Sequence, residues 1–251
     1  MIINICIDRN YCARIQLIDG VIMLEKLDNI LLSKDVVQNF HKEYQNDEFK
    51  NWLISILPEV EKCKEQKQDN PWHIYNCLDH ILHSVEEINK QDSQLDEKTR
   101  KMLAYTMFLH DIGKPESHIR RYSKKYGREV DSFFGHNIAS MKIADRVLPS
   151  FNFGHAEIEI IKKLIEEHDM FMFITLEDDG NAFHHKLTPT LVQEHIHKLS
   201  EYGDGRQLLH YLTMIGLADN LAQNPKMTNE AIKTVKTMQE MIDYHKQKEM
   251  L

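Results

Sequence analysis

The chain has little glycine or proline and no cysteine pair at the spacing of a metal or redox motif. Its 251 residues include 9 glycines and 6 prolines, which argues against a turn-rich all-β fold and favours long helices with few breaks. Four cysteines without a CxxC pair are too few for a disulfide framework, so we expect a reduced, cytoplasmic protein.

The chain also lacks an excess of positive charge and a long apolar run. A formal net charge of −8 offers no basic surface to a nucleic-acid backbone, so we expect no long nucleic acid as a partner. The first 20 residues carry Asp8, Arg9 and Arg14 where a signal peptide needs an uninterrupted apolar core. No other segment approaches the roughly 20 apolar residues that cross a bilayer, so we expect no membrane partner.

What the sequence does contain is helical periodicity from about Leu27 onward. The predicted helices cover residues 34–44, 48–63 (interrupted at Pro58), 72–90, 96–111, 135–148, 154–169, 191–199, 205–222 and 228–248. Residues 1–24 alternate apolar and polar side chains in part, with Asp19-Gly20 as a turn signal, and predict a short β-hairpin. We therefore predict an all-α bundle over residues 70–251, preceded by a small N-terminal appendage over residues 1–69.

Several predicted helices aim a histidine or aspartate at the interior. The apolar series Ile161, Leu164, Ile165 continues to His168 at i+7 spacing, and a similar series leads to Asp219. Burying a lone carboxylate is costly unless a cation or a hydrogen-bond partner receives it. For any one histidine, a satisfied core or surface histidine is the simpler interpretation. A set on the inner faces or ends of five helices instead favours a metal centre. Its members are His80, His110, Asp111, His136, His168 and Asp219.

This ordered set resembles the HD superfamily of metal-dependent phosphohydrolases. The resemblance covers about Asn70 to Pro225 and is most similar to the HD domain of bacterial tRNA nucleotidyltransferases. The motifs that carry it are NPWHIYNCLDHILHSVEE, LHDIGKP, FFGHNIAS and LADNLAQNP. No Gly-Ser followed by an Asp-x-Asp pair occurs in residues 1–70, so the resemblance implies the hydrolase reaction without CCA addition.

The resemblance implies two divalent metal ions that share the carboxylate of Asp111. It implies that His80, His110, Asp111 and Asp219 bind the first ion, and that His136 and His168 extend the site to the second. Lys114 is implied as the second catalytic residue, beside Asp111 and facing the phosphate at the mouth of the site. Its alternative role is that of a cation near a helix C-terminus. Histidine-rich ligation suits Mn²⁺, Fe²⁺, Ni²⁺, Co²⁺ or Zn²⁺ better than Mg²⁺.

The expected substrate is a small phosphate mono- or diester of a nucleotide, cleaved by a metal-activated hydroxide. We expect the substrate to contact Lys114, His73 and, in the basic segment 117–134, Arg120 and Arg121. A solvated charged loop is the alternative for that segment. Two other function classes stay open: a di-iron oxygenase of the same superfamily, and a sensor that binds a nucleotide without turnover. The appendage is open as the interface of a homodimer or as a cover over the site.

Overall fold

The structure is a computed structural model, and it describes residues 9–91 and 94–249. The α-helices are α1 (Arg9–Leu31), α2 (Val36–Glu43), α3 (Asp47–Ile56), α4 (Glu59–Glu65), α5 (Cys77–Asn89), α6 (Glu97–Leu109), α7 (Lys114–Ser117), α8 (His136–Val147), α9 (His155–Glu167), α10 (Pro189–Leu199), α11 (Gly205–Leu221) and α12 (Asn229–Glu249). Two 3-10 helices, Leu148–Phe151 and His168–Met172, follow α8 and α9. The predicted all-α class is confirmed.

Two small sheets interrupt the helices. β1 (Ile119–Ser123) and β2 (Arg128–Ser132) form an antiparallel hairpin between α7 and α8. A shorter parallel pair joins β3 (Ile174–Thr175) to β4 (His185–Lys186). The hairpin therefore lies in the basic segment 117–134, for which the sequence analysis predicts only a loop.

The β-hairpin predicted near the N-terminus is wrong from Arg9 onward, because that stretch forms α1. Residues 1–8 of this prediction lie outside the described residues. Gly20, which the sequence predicts as a turn residue, lies within α1. A glycine costs a helix only about 1 kcal/mol relative to alanine, so a long helix can contain one.

One hydrophobic core extends from α1 to α12. Aromatic rings connect its early and late parts. The ring centroids of Phe40 in α2 and Phe108 in α6 are 6.1 Å apart, and those of Tyr105 and Phe151 are 5.2 Å apart. The division of the chain at residue 70 stays a prediction. Among the described residues, the helices lack the combination of length and apolar character that a membrane crossing requires.

Two glycines permit the close contacts that position the later elements of the site. A Cβ on Gly113 would lie 2.4 Å from the backbone nitrogen of Ser140, so the turn before α7 packs directly on α8. A Cβ on Gly216 would lie 2.4 Å from the ring of Phe171, so the second 3-10 helix packs directly on α11. Both distances are too short for a Cβ atom, so only glycine fits at these two positions.

Candidate metal centre

Local structure places the histidines and aspartates of the predicted set at helix ends. The Asn76 side chain caps α5 by accepting from the backbone N–H of Asp79, which places His80 in the first turn. His110 and Asp111 follow the last residue of α6, in the turn before α7. His136 begins α8 directly after Gly135, whose φ of 82° lies in the left-handed region that favours glycine.

The first group of donors contains two histidines and two aspartates, and their ligand atoms all lie within 4.8 Å of one another. His80 Nε2 is 3.0 Å from both Asp111 Oδ2 and Asp219 Oδ1. His110 Nε2 is 3.3 Å and 3.5 Å from the same two oxygens. Three of the four residues are fully buried, and the Asp219 side chain is 13% exposed.

The second group contains Asp111, His136 and His168, within the same mutual distance. His136 Nε2 lies 2.9 Å from Asp111 Oδ1, and His168 Nε2 lies 3.7 Å from it. The two Nε2 atoms are 3.2 Å apart. Each oxygen of Asp111 therefore faces a different group, as expected of a carboxylate that two cations share.

All four histidines use the other ring nitrogen, Nδ1, in the same way. Nδ1 of His80 donates to the carbonyl of Ala222 at 3.3 Å, and Nδ1 of His110 donates to that of Met107 at 2.6 Å. Nδ1 of His136 donates to the carbonyl of Phe133 at 2.8 Å, and Nδ1 of His168 donates to that of Ile165 at 2.7 Å. A carbonyl only accepts, so Nδ1 carries a proton, and in the neutral ring the Nε2 lone pair points into the cluster. This arrangement is typical of metal-binding histidines, whose second nitrogen is fixed by an outer hydrogen bond.

The donor atoms lie close to one another without forming hydrogen bonds. In the described part of the chain, four buried side-chain atoms make no hydrogen bond, although charged neighbours lie within ion-pair distance: Nε2 of His80, Nε2 of His110, and both carboxylate oxygens of Asp111. Orphaned buried polar atoms are rare because each costs about 1–3 kcal/mol. These atoms converge at separations near 3 Å, so the residues fit one or more cations.

Charge within the cluster shifts the pKa values of its members. Burial would raise the pKa of Asp111, but His110, Lys114 and His136 hold it well below its usual range. Burial would likewise raise the pKa of Asp219, but His110 and His80 hold it well below its usual range. Burial lowers the pKa of His110, but the two aspartates outweigh it and raise the value to about 9. The carboxylates therefore favour a proton on His110 Nε2.

Lys114 is not at the mouth of the site, where the sequence analysis placed it. Its side chain is buried, and Nζ lies 2.5 Å from Asp111 Oδ2. It also donates to Gln68 Oε1 at 2.9 Å. Burial lowers the pKa of Lys114, but Asp111 outweighs this and raises it, so the ammonium stays charged. The carboxylate draws the side chain inward because a buried anion needs a cation.

His73 lies between Lys114 and the first group. Its Nε2 is 3.1 Å from Lys114 Nζ, and its Nδ1 is 2.9 Å from Asn70 Oδ1. Lysine can only donate, so His73 Nε2 accepts and Nδ1 carries the single proton. Burial, then the charges of Lys114 and His80, hold the pKa of His73 well below its usual range, which agrees with a neutral ring.

The hairpin brings the two arginines of the predicted substrate site to unequal positions. Arg120 forms ion pairs with Asp69 at 2.9 Å, Asp131 at 3.1 Å and Glu129 at 3.4 Å, which neutralise much of its charge. Arg121 is exposed on β1. Asp69, the ion-pair partner of Arg120, directly follows Gln68, which accepts a hydrogen bond from Lys114. Arg120 is therefore linked to the cluster through Asp69 and Gln68, whereas Arg121 is not.

Two residues of the cluster are absent from the sequence-based prediction. Asp169 Oδ2 lies 3.3 Å from His136 Nε2, and Asp169 Oδ1 lies 3.4 Å from His168 Nε2. Gln68, a buried residue between α4 and α5, accepts a hydrogen bond from Lys114. A second His-Asp pair, His168-Asp169, is the signal that could have identified the aspartate. For Gln68 the sequence contains no comparable signal.

Comparison with known proteins agrees with this geometry. The HD domain family matches residues 73–224, more than half of the chain. The chain is also similar to the bifunctional uridylyltransferase/uridylyl-removing enzyme of Cereibacter sphaeroides, at 26% identity over 129 residues, which covers 46% of this chain and 12% of that protein. The chain thus spans a small part of its relative. The predicted superfamily is confirmed: the protein belongs to the HD domain family, whose members are mostly metal-dependent phosphohydrolases.

Proposed function

We propose that this protein is a phosphohydrolase that cleaves a phosphate mono- or diester of a nucleotide at a centre of two divalent metal ions. The observation that supports it most is the convergence of the orphaned donors, His80 Nε2, His110 Nε2 and both oxygens of Asp111, in a buried site. Such atoms are tolerated in a core when a cation binds them.

In this proposal the ions are held by two donor groups that meet at Asp111. The first group is His80, His110, Asp111 and Asp219, and the second is Asp111, His136 and His168. Divalent ions at such a site lower the pKa of bound water and withdraw charge from phosphoryl oxygens. Imidazole donors favour Mn²⁺, Fe²⁺, Co²⁺, Ni²⁺ or Zn²⁺ over Mg²⁺.

The other roles belong to side chains beside the donors. Lys114 keeps its positive charge at 2.5 Å from Asp111 Oδ2, so it restrains this carboxylate and presents a cation to a phosphoryl oxygen. His73, neutral and hydrogen-bonded to Lys114, fixes the direction of the ammonium and lies next to the substrate. Arg120 and Arg121 extend the positive charge along the hairpin, with Arg121 less compensated by carboxylates than Arg120.

Two features support a nucleotide as substrate. One is the basic hairpin, which places Arg121, Lys124 and Lys125 on an otherwise acidic protein. The other is the similarity to a bifunctional uridylyltransferase/uridylyl-removing enzyme, which covers 46% of this chain. A uridylyl group is joined through a phosphodiester, so nucleoside phosphodiesters are tested first.

The experiment compares wild type with Asp111→Asn and with Asp145→Asn, a matched control on the exposed side of α8. Purified proteins are stripped of metal, reloaded with Mn²⁺, Co²⁺ or Zn²⁺, and assayed with bis(p-nitrophenyl) phosphate and a panel of nucleotides. We expect turnover in wild type and Asp145→Asn that requires metal, and a loss of at least about 100-fold in Asp111→Asn.

The opposite results separate the alternatives. Hydrolysis that continues unchanged in Asp111→Asn or without metal contradicts the proposal. Metal-dependent oxygen consumption without phosphate release would identify an oxygenase. Nucleotide binding without turnover by any metal would identify a sensor.

A further inference from the structure

Asp169 occupies a position for which the proposed function has not accounted. It follows His168 in the second 3-10 helix, and its carboxylate meets both histidines of the second donor group. We infer that Asp169 is the carboxylate ligand of the second metal ion, the counterpart of Asp219 at the first. This inference rests on the proposed two-ion site.

The two halves of the cluster correspond when Asp169 is included. At the first ion, two imidazoles are joined by Asp111 Oδ2 and by the carboxylate of Asp219. At the second, two imidazoles are joined by Asp111 Oδ1 and by the carboxylate of Asp169. Each ion then has two nitrogen donors, one oxygen of the shared carboxylate and one carboxylate of its own.

The separations agree with donors around one ion. Metal–ligand bonds of 2.0–2.2 Å place neighbouring donors about 3.0–3.5 Å apart. In the second group, the His136–His168 nitrogens are 3.2 Å apart, and the oxygens of Asp169 lie 3.3 and 3.4 Å from them. Asp169 is not part of the tighter group that includes Asp111. Its side chain is 22% exposed, whereas that of His168 is 1% exposed.

The balance of charge in the site also supports Asp169 as a ligand. Two divalent ions and the buried Lys114 bring five positive charges to a site in which Asp111 and Asp219 supply two negative charges. A buried charge is costly unless it is compensated, and Asp169 supplies a third negative charge beside the less compensated ion. Without Asp169, the second ion would have only the shared carboxylate.

The test counts ions rather than turnover. Metal-free wild type, Asp169→Asn and Asp169→Ala are titrated with Mn²⁺ and Zn²⁺ by calorimetry, and the ions retained after gel filtration are counted by mass spectrometry. The matched control is Asp179→Asn, which removes the carboxylate of another His-Asp pair, Asp179–His184 at 2.7 Å, outside the cluster. Asp169→Asn preserves the shape of the side chain, and the melting temperature of each metal-free variant reports on folding.

We expect two ions per chain in wild type and in Asp179→Asn. In both Asp169 variants we expect one tightly held ion with unchanged affinity, and a second ion whose Kd rises at least about 10-fold. Two ions with unchanged affinities in folded Asp169 variants would overturn the inference and leave the proposed function standing. A wild type that binds one ion would overturn both the inference and the two-ion centre of the proposed function. A wild type that binds no ion would overturn the proposed function itself.

Discussion

Replacing Gly113 by alanine tests whether the close contact between the metal-site turn and α8 is necessary. The φ of Gly113 is −86°, which any residue adopts, so the backbone conformation does not require glycine. The obstacle is space, because the added Cβ would lie 2.4 Å from Ser140 N and 2.7 Å from the Cβ of Ala139. Ordinary contact begins at 3.4 Å, so the two elements must separate by about 1 Å.

This separation has a calculable cost. Overpacking a core usually costs about 1–3 kcal/mol, and here the obstacle is backbone that cannot rotate away. The shift also weakens the 2.9 Å hydrogen bond from Gly113 N to Ser140 Oγ, and a buried N–H without a partner costs about 1–3 kcal/mol. The total is about 2–6 kcal/mol. For a chain of this length the melting temperature should fall by about 4–24 °C.

The assay is thermal unfolding of the metal-free protein, followed by a count of bound Mn²⁺. His136 lies one helical turn before Ser140 on α8, so the shift also moves His136 Nε2 away from Asp111 Oδ1, now 2.9 Å distant. We expect the second ion to be lost first. Gly20→Ala is the control, because nothing lies within 4 Å of its Cβ and the change should stabilise α1 by up to about 1 kcal/mol. If Gly113→Ala unfolds at the wild-type temperature and keeps both ions, the argument from close approach is refuted.

Two further predictions concern charge in the cluster. Lys114→Met removes the cation 2.5 Å from Asp111 and should lower the free energy of unfolding of the metal-free protein by about 3–5 kcal/mol, as measured by urea unfolding. Excess Mn²⁺ should restore this stability, and equal losses with and without metal would contradict the prediction. The second follows from the pKa of His110, about 9 when folded against about 6.5 when unfolded. The charged ring stabilises the metal-free protein fully below pH 6.5, and this stability is lost as the pH rises through 9. Metal must displace that proton, so Mn²⁺ affinity should rise over the same interval; an affinity that stays constant in calorimetry at pH 6.5 and 9 would refute the assignment.

The sequence was sufficient to predict most of the helices after α1 and the order of the donor residues, because both leave strong local signals. Apolar residues at helical spacing lead to His168 and to Asp219, and the structure brings both into the cluster. The motif LHDIGKP ends a helix, as predicted, with α6 stopping at Leu109. These features depend on residues a few positions apart, so local periodicity is enough.

The features that the sequence did not predict depend on contacts between distant residues. The β1–β2 hairpin has exposed side chains along nearly all of β1, so no alternation of apolar and polar residues reveals it. Lys114 resembles a helix-end cation until the structure places Asp111, Gln68 and His73 around it. Asp169 follows the end of α9 and does not continue its apolar series, and its 3.3 Å approach to His136 depends on a contact between distant residues.

The metal-free cluster explains how a core tolerates so many ionisable groups. Each histidine donates its Nδ1 proton to a carbonyl, so only Nε2 can bind a cation, and every Nε2 faces a carboxylate or another Nε2. A proton on His110 Nε2 and the ammonium of Lys114 compensate the charges of Asp111 and Asp219. Protons and metal ions therefore compete for the same atoms. Because Lys114 Nζ lies 2.5 Å from Asp111 Oδ2, an ion held by the first donor group would share this oxygen with the ammonium.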